Sequence, residues 1–123
     1  MIARLGAAVA AGILVAGMAH ADPPRIVSVE AEKTGMARRI SVTLEHPDEG
    51  WDHYAAGWRI EDADGKVIAE RELLHPHVDE QPFTRSLSSV MLPDGMKTFH
   101  VRAKCSVHGW NEQSVAFKLS EVD

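Results

Sequence analysis

Cysteine is nearly absent: Cys105 is the single one in 123 residues. That rules out an internal disulfide framework and any cysteine-rich zinc cage. Basic residues are outnumbered, 13 Lys and Arg against 18 Asp and Glu, for a net charge of −5. This balance argues against a nucleic-acid binder, whose affinity comes from neutralising phosphates. Aromatics are sparse at 6%. No glycine-rich phosphate loop and no serine elbow occurs. Beyond the first twenty or so residues there is no long apolar run and no helical period. The length suits one domain.

The N-terminus has the form of an export signal. Arg4 gives a short positive start, Leu5 to Met18 is apolar, and Ala19-His20-Ala21 has the small-x-small form of a cleavage site. Polarity then jumps at Asp22. The pattern predicts a cleaved signal over 1–21, a domain over 22–123, a periplasmic location and no membrane span once the signal is removed.

Beyond Asp22 the chain alternates between apolar and polar residues. Ile40, Val42 and Leu44 are separated by Ser41 and Thr43. Phe99, Val101, Ala103 and Cys105 are separated by His100, Arg102 and Lys104. Similar stripes run through Val27–Ala31, Ala56–Ile60 and Val115–Leu119. Period two means one face buried and one wet. Two less regular runs are Lys66 to Leu74, charged like an edge strand, and Thr84 to Leu92, which breaks phase at Ser88-Ser89 as a bulge does. Glycine-bearing turns at Thr34–Ala37, Asp62–Gly65 and Pro93–Gly95 separate the runs. The expectation is an all-β, seven-stranded antiparallel sandwich.

Leu92-Pro93-Asp94-Gly95 followed by Phe99-His100-Val101-Arg102-Ala103 resembles the turn and sixth strand of fibronectin type III domains, and Trp58 resembles the core Trp of immunoglobulin-like sandwiches. The resemblance implies a fold and no particular function. Two longer stretches, Gly50 to Trp58 and His75 to Leu87, resemble small uncharacterised secreted proteins of proteobacteria.

Alternating strands send the second, fourth and sixth connections to one end. That end collects His46, His53, His75, His77 and His108, five of the six histidines beyond residue 21. His75-Pro76-His77 sets two imidazoles two residues apart in an extended segment, so both face one side. With His46, His53 or His108 they form a candidate Cu or Zn site, with carboxylates such as Asp52 or Asp79 as ligands or supports. A sharper variant is cupredoxin-like: Cys105 and His108 lie three apart after a strand, although no Met follows to serve as an axial ligand. An alternative use of the same end is protein recognition, with Trp51, Tyr54 and Trp110 as anchors beside Asp52, for an envelope partner. Asp48-Glu49 and Asp79-Glu80 read as solvated pairs, and no catalytic constellation is recognisable. The sequence therefore predicts a secreted, non-catalytic binding module.

Overall fold

A computed structural model describes residues 23–119, so the expected signal segment and its cleavage site lie outside the described residues. All regular structure in that range is β. In chain order the strands are β1 (Arg25–Thr34), β2 (Ala37–Glu45), β3 (Ala55–Glu61), β4 (Val67–Glu72), β5 (Phe83–Val90), β6 (Thr98–Cys105), β7 (Gly109–Trp110) and β8 (Val115–Lys118). One sheet has the order β1-β2-β5; the other has β4-β3-β6, with β7 and β8 both along the far side of β6. Every pairing is antiparallel. This is an immunoglobulin-like sandwich.

The alternation is the cause. Ile40, Val42 and Leu44 from β2 and Phe99, Val101 and Ala103 from β6 turn inward, and Trp58, Ile60 and Phe83 complete the core between them. Burying each such side chain contributes about 1.5–3 kcal/mol. The polar positions between them face water or each other. Ser41 meets Ser86 across β2 and β5 at 2.7 Å, and Thr43 meets Thr84 at 2.7 Å. The charged run over Lys66–Leu74 supplies β4, which sits at a sheet edge as expected. The phase break in β5 is a bulge: Ile40 faces Leu87 while Arg38 faces Val90, and Ser89 has φ of 60°.

The strand count is eight rather than seven. The added strand arises because Gly109, at φ 79°, turns the chain straight back after Ser106–His108. Gly109 then pairs with Cys105 and Trp110 with Lys104. The three residues between Cys105 and Gly109 form a tight hairpin loop whose last turn needs the left-handed conformation that glycine supplies.

On the wet face of the second sheet lies a charged group. Glu61 is buried between two guanidiniums, with Arg59 Nε at 2.7 Å and Arg102 Nε at 2.8 Å from one oxygen and Arg102 Nη2 at 3.1 Å from the other. The hydrogen bond from Arg102, helped by that from Arg59 and opposed by burial, holds the Glu61 carboxyl below its usual range. Arg102 also donates to the Asn111 carbonyl at 2.7 Å, and Arg59 and Lys104 lie over the Trp110 ring at 4.1 and 4.9 Å. The segment just past the Cys105–Gly109 hairpin is therefore pinned to the sheet.

Candidate metal centre

His46 continues the inward stripe of β2: Ile40, Val42 and Leu44 precede it at the same spacing, so its ring enters the end of the core. Cys105 does the same at the end of β6, where it faces Ala55 across the ladder. His53 arrives from the loop before β3. That loop is folded by its backbone, with Glu49 N–H donating to the His53 carbonyl at 2.8 Å and His53 N–H to the Gly50 carbonyl at 3.3 Å. One ligating atom from each of His46, His53 and Cys105 lies within 4.8 Å of the others. The rings of His46 and His53 meet edge to face at 4.7 Å between centroids. His108, exposed on the hairpin loop, has its ring 5.8 Å from that of His53.

The nitrogens identify the donors. The 2.6 Å contact between His46 Nδ1 and Asp48 Oδ1 suits an N–H donating to a carboxylate oxygen. His46 Nε2 is the nitrogen left over. It is buried and has no hydrogen-bond partner, and neither has His53 Nε2. Buried polar atoms left unpaired cost about 1–3 kcal/mol each, and two of them beside a thiol make a donor set suited to a transition ion. The residues present fit a metal. The Val107 N–H, at 3.4 Å from Cys105 Sγ, adds a donor that tempers charge on sulfur.

Asp48 read as half of a solvated pair in the sequence, yet its side chain is fully buried. Besides His46 it accepts from Ala55 N–H at 3.0 Å and His77 N–H at 2.8 Å. Gln81 closes the same corner: its Oε1 accepts from His46 N–H at 2.9 Å and its Nε2 donates to the His77 carbonyl at 2.7 Å. Asp52 and Asp79, the supports suggested by spacing, are exposed.

His75 and His77 do come together, with ring centroids 4.6 Å apart, but the cluster of three ligating groups among the described residues does not include them. His77 stacks flat on Phe83 at 3.9 Å, and its Nε2 accepts from Arg85 Nη2 at 2.8 Å. Burial, then the charge of Arg85 and that of His75, push the His77 imidazole below its usual value, against weaker pulls from Glu80 and Asp48. The aromatic residues divide. Trp51 is 68% exposed and meets Tyr54 edge to face at 5.6 Å, whereas Trp110 is half-buried under Arg59 and Lys104.

No family model matches the chain. A "Putative lipoprotein" of the archaeon Halomicrobium mukohataei is 41% identical over 81 residues, which is 66% of this chain and 39% of that one. The chain thus spans about two fifths of the length of this relative, which is archaeal where the sequence resembled proteobacterial proteins. The solved structure of superoxide reductase from Nanoarchaeum equitans is similar at a TM-score of 0.52, covering 79% of this chain and 91% of that chain at 20% identity. At that identity the likeness establishes the fold. Against the expectation of a non-catalytic module, the protein with the similar fold is an enzyme. Residue types common to binding sites and redox centres carried no signal that separates the two.

Proposed function

We propose that this chain is a redox metalloenzyme of the cell envelope, with a one-electron transition ion held by His46, His53 and Cys105 and approached by His108. The observation that carries the reading is the pair of buried, unpartnered nitrogens, His46 Nε2 and His53 Nε2, beside Cys105. Envelope association is suggested by the lipoprotein relative, and among the described residues no helix is long and apolar enough to cross a membrane. The enzyme with the similar fold suggests a small oxygen species, superoxide, as substrate.

Imidazole and thiolate donors suit zinc, copper and iron alike. Zinc has no redox chemistry, so the proposed activity selects copper or iron. Reduced iron or copper held by these residues would supply one electron to superoxide, which takes up two protons from solvent to become hydrogen peroxide, and an external one-electron reductant would restore the ion. The chain's own residues do the rest. Asp48 Oδ1 holds His46 Nδ1 at 2.6 Å, which leaves Nε2 as the nitrogen able to ligate. Cys105, anchored in the β6 ladder, presents sulfur from the core side, and Val107 N–H limits its charge. His108 stands on the solvent side, with its ring 5.8 Å from that of His53.

The test is anaerobic titration of the protein with Fe(II), Cu(I), Cu(II) and Zn(II), followed by superoxide consumption measured by competition with a dye. One equivalent of iron or copper, lost in the His46→Ala and Cys105→Ser variants, with superoxide reduced by the loaded protein alone, is the expected result. Absence of stoichiometric binding by any of these ions refutes the proposal.

A further inference from the structure

The hydrogen bonds around Asp48 are unusual in number and in destination. Its two oxygens serve three N–H groups from three separate segments: His46 Nδ1 at 2.6 Å and Ala55 N at 3.0 Å share Oδ1, and His77 N at 2.8 Å takes Oδ2. Its side chain and that of His46 are both fully buried, so water does not compete for these bonds. His46 has one nitrogen bound to Asp48 and the other bare and aimed away from it.

From this we infer that Asp48 is the positioning residue of the metal centre: it selects the His46 tautomer that exposes Nε2 and ties that choice to the seating of the His75–Phe83 connection. The inference rests on the metal reading above. The chemistry comes down to donor counting. A neutral imidazole carries its proton on one nitrogen only, and the nitrogen without it is the one that ligates. With a carboxylate against Nδ1, the proton stays there and Nε2 has its lone pair free. A carboxylate on the far nitrogen also fixes the ring plane.

An amide of the same shape fails in either orientation. Asn at this position offers one acceptor oxygen to three donors. If its oxygen faces His46 and Ala55, its NH2 meets His77 N–H, two donors with no acceptor between them. If it is flipped, the NH2 faces His46 Nδ1 and pushes the proton to Nε2, which removes the ligand.

The test uses the full domain, apo and reduced, with Co(II) as the probe ion. Imidazole nitrogen shifts from 15N NMR report the His46 tautomer without metal. Wild type is expected to carry the proton on Nδ1, and Asp48→Asn to show a shifted or mixed tautomer and roughly 10- to 100-fold weaker Co(II) binding. A wild-type His46 protonated on Nε2 overturns the inference, and so does an Asp48→Asn protein whose tautomer and Co(II) affinity are both unchanged. Should the variant fail to fold, the wild-type tautomer still decides. A wild-type chain with the proton on Nδ1 that takes up no Co(II) refutes the metal reading instead, and leaves the tautomer role of Asp48 standing.

Discussion

Replacing His53 by Leu separates two contributions that are opposed in this fold. In the metal-free chain His53 Nε2 is buried without a partner. An orphaned polar atom costs about 1–3 kcal/mol. The side chain retains 20% of its exposure, which places the cost near the low end, about 1 kcal/mol. Leu is close in volume, and the loop is held by backbone hydrogen bonds that the substitution does not touch. The metal-free His53→Leu protein should therefore be as stable as wild type or more stable by about 1 kcal/mol, a rise in Tm of about 4–8 °C for a domain of this size. The metal response should move the other way. An ion at a thousand times its Kd stabilises a native state by about 4 kcal/mol, and that response needs Nε2. Thermal unfolding followed by circular dichroism, with and without Co(II), reads both. A variant that is less stable than wild type by more than about 1 kcal/mol when metal-free, yet keeps the full Co(II) shift, refutes the assignment of this nitrogen as a ligand.

Further outcomes are expected away from the ligands. Glu61→Gln leaves Arg59 and Arg102 facing each other without a counter-charge. Breaking a buried pair costs about 3–5 kcal/mol, and because the two guanidiniums keep 22% and 20% exposure the loss should fall near 3 kcal/mol in urea titrations. The lowered Glu61 pKa means that the unfolded state binds more protons, so this stabilisation is present above the ordinary value of 4.5 and is lost as pH falls below it; the urea midpoint of Glu61→Gln should lose that dependence. His77 has the same sign for a different reason. Its folded pKa lies below 6.5, the unfolded chain protonates first, and stability should fall as pH drops through that value. In His77→Phe the slope between pH 6.5 and the acid side, measured by urea midpoints, should flatten. Trp110→Ala removes the ring under Arg59 and Lys104; it should leave β1 to β5 protected in hydrogen exchange while amides of Ser106–Asn111 exchange faster.

The sandwich was legible because burial on one face writes itself as alternation. Val42, Trp58, Phe99 and Val101 all occupy the core that their phase assigns. The same rule reaches into the site: His46 and Cys105 are the next steps of two inward stripes, so a histidine and a cysteine in apolar phase mark where the core becomes a donor set. Asp48 was illegible for the opposite reason. Beside Glu49 it has the composition of a solvated pair, and its three donors come from positions 46, 55 and 77, which only the closed sandwich brings together. His75 and His77 illustrate a local rule overtaken by a distant partner. Their rings do share a side, but Phe83 and Arg85 engage His77 from across the connection. Nothing in the pattern separates binding from catalysis, since the same imidazoles and thiol suit storage, sensing or turnover.

The two ends of the sandwich are unequal. His46, His53, Cys105 and His108 cluster at one, while Gly35, Gly65 and Gly95 close the other in short exposed turns with φ of 70°, 86° and 84°. No side chain would be met at these three glycines within 4 Å, so each turn stands clear of the rest of the chain. Such turns tolerate insertion. The molecule therefore has a blunt handle: a linker, a surface anchor or a second protein spliced between Asp62 and Lys66, or between Pro93 and Met96, would hold the domain by its far end and leave the histidine-bearing end presented to whatever diffuses past.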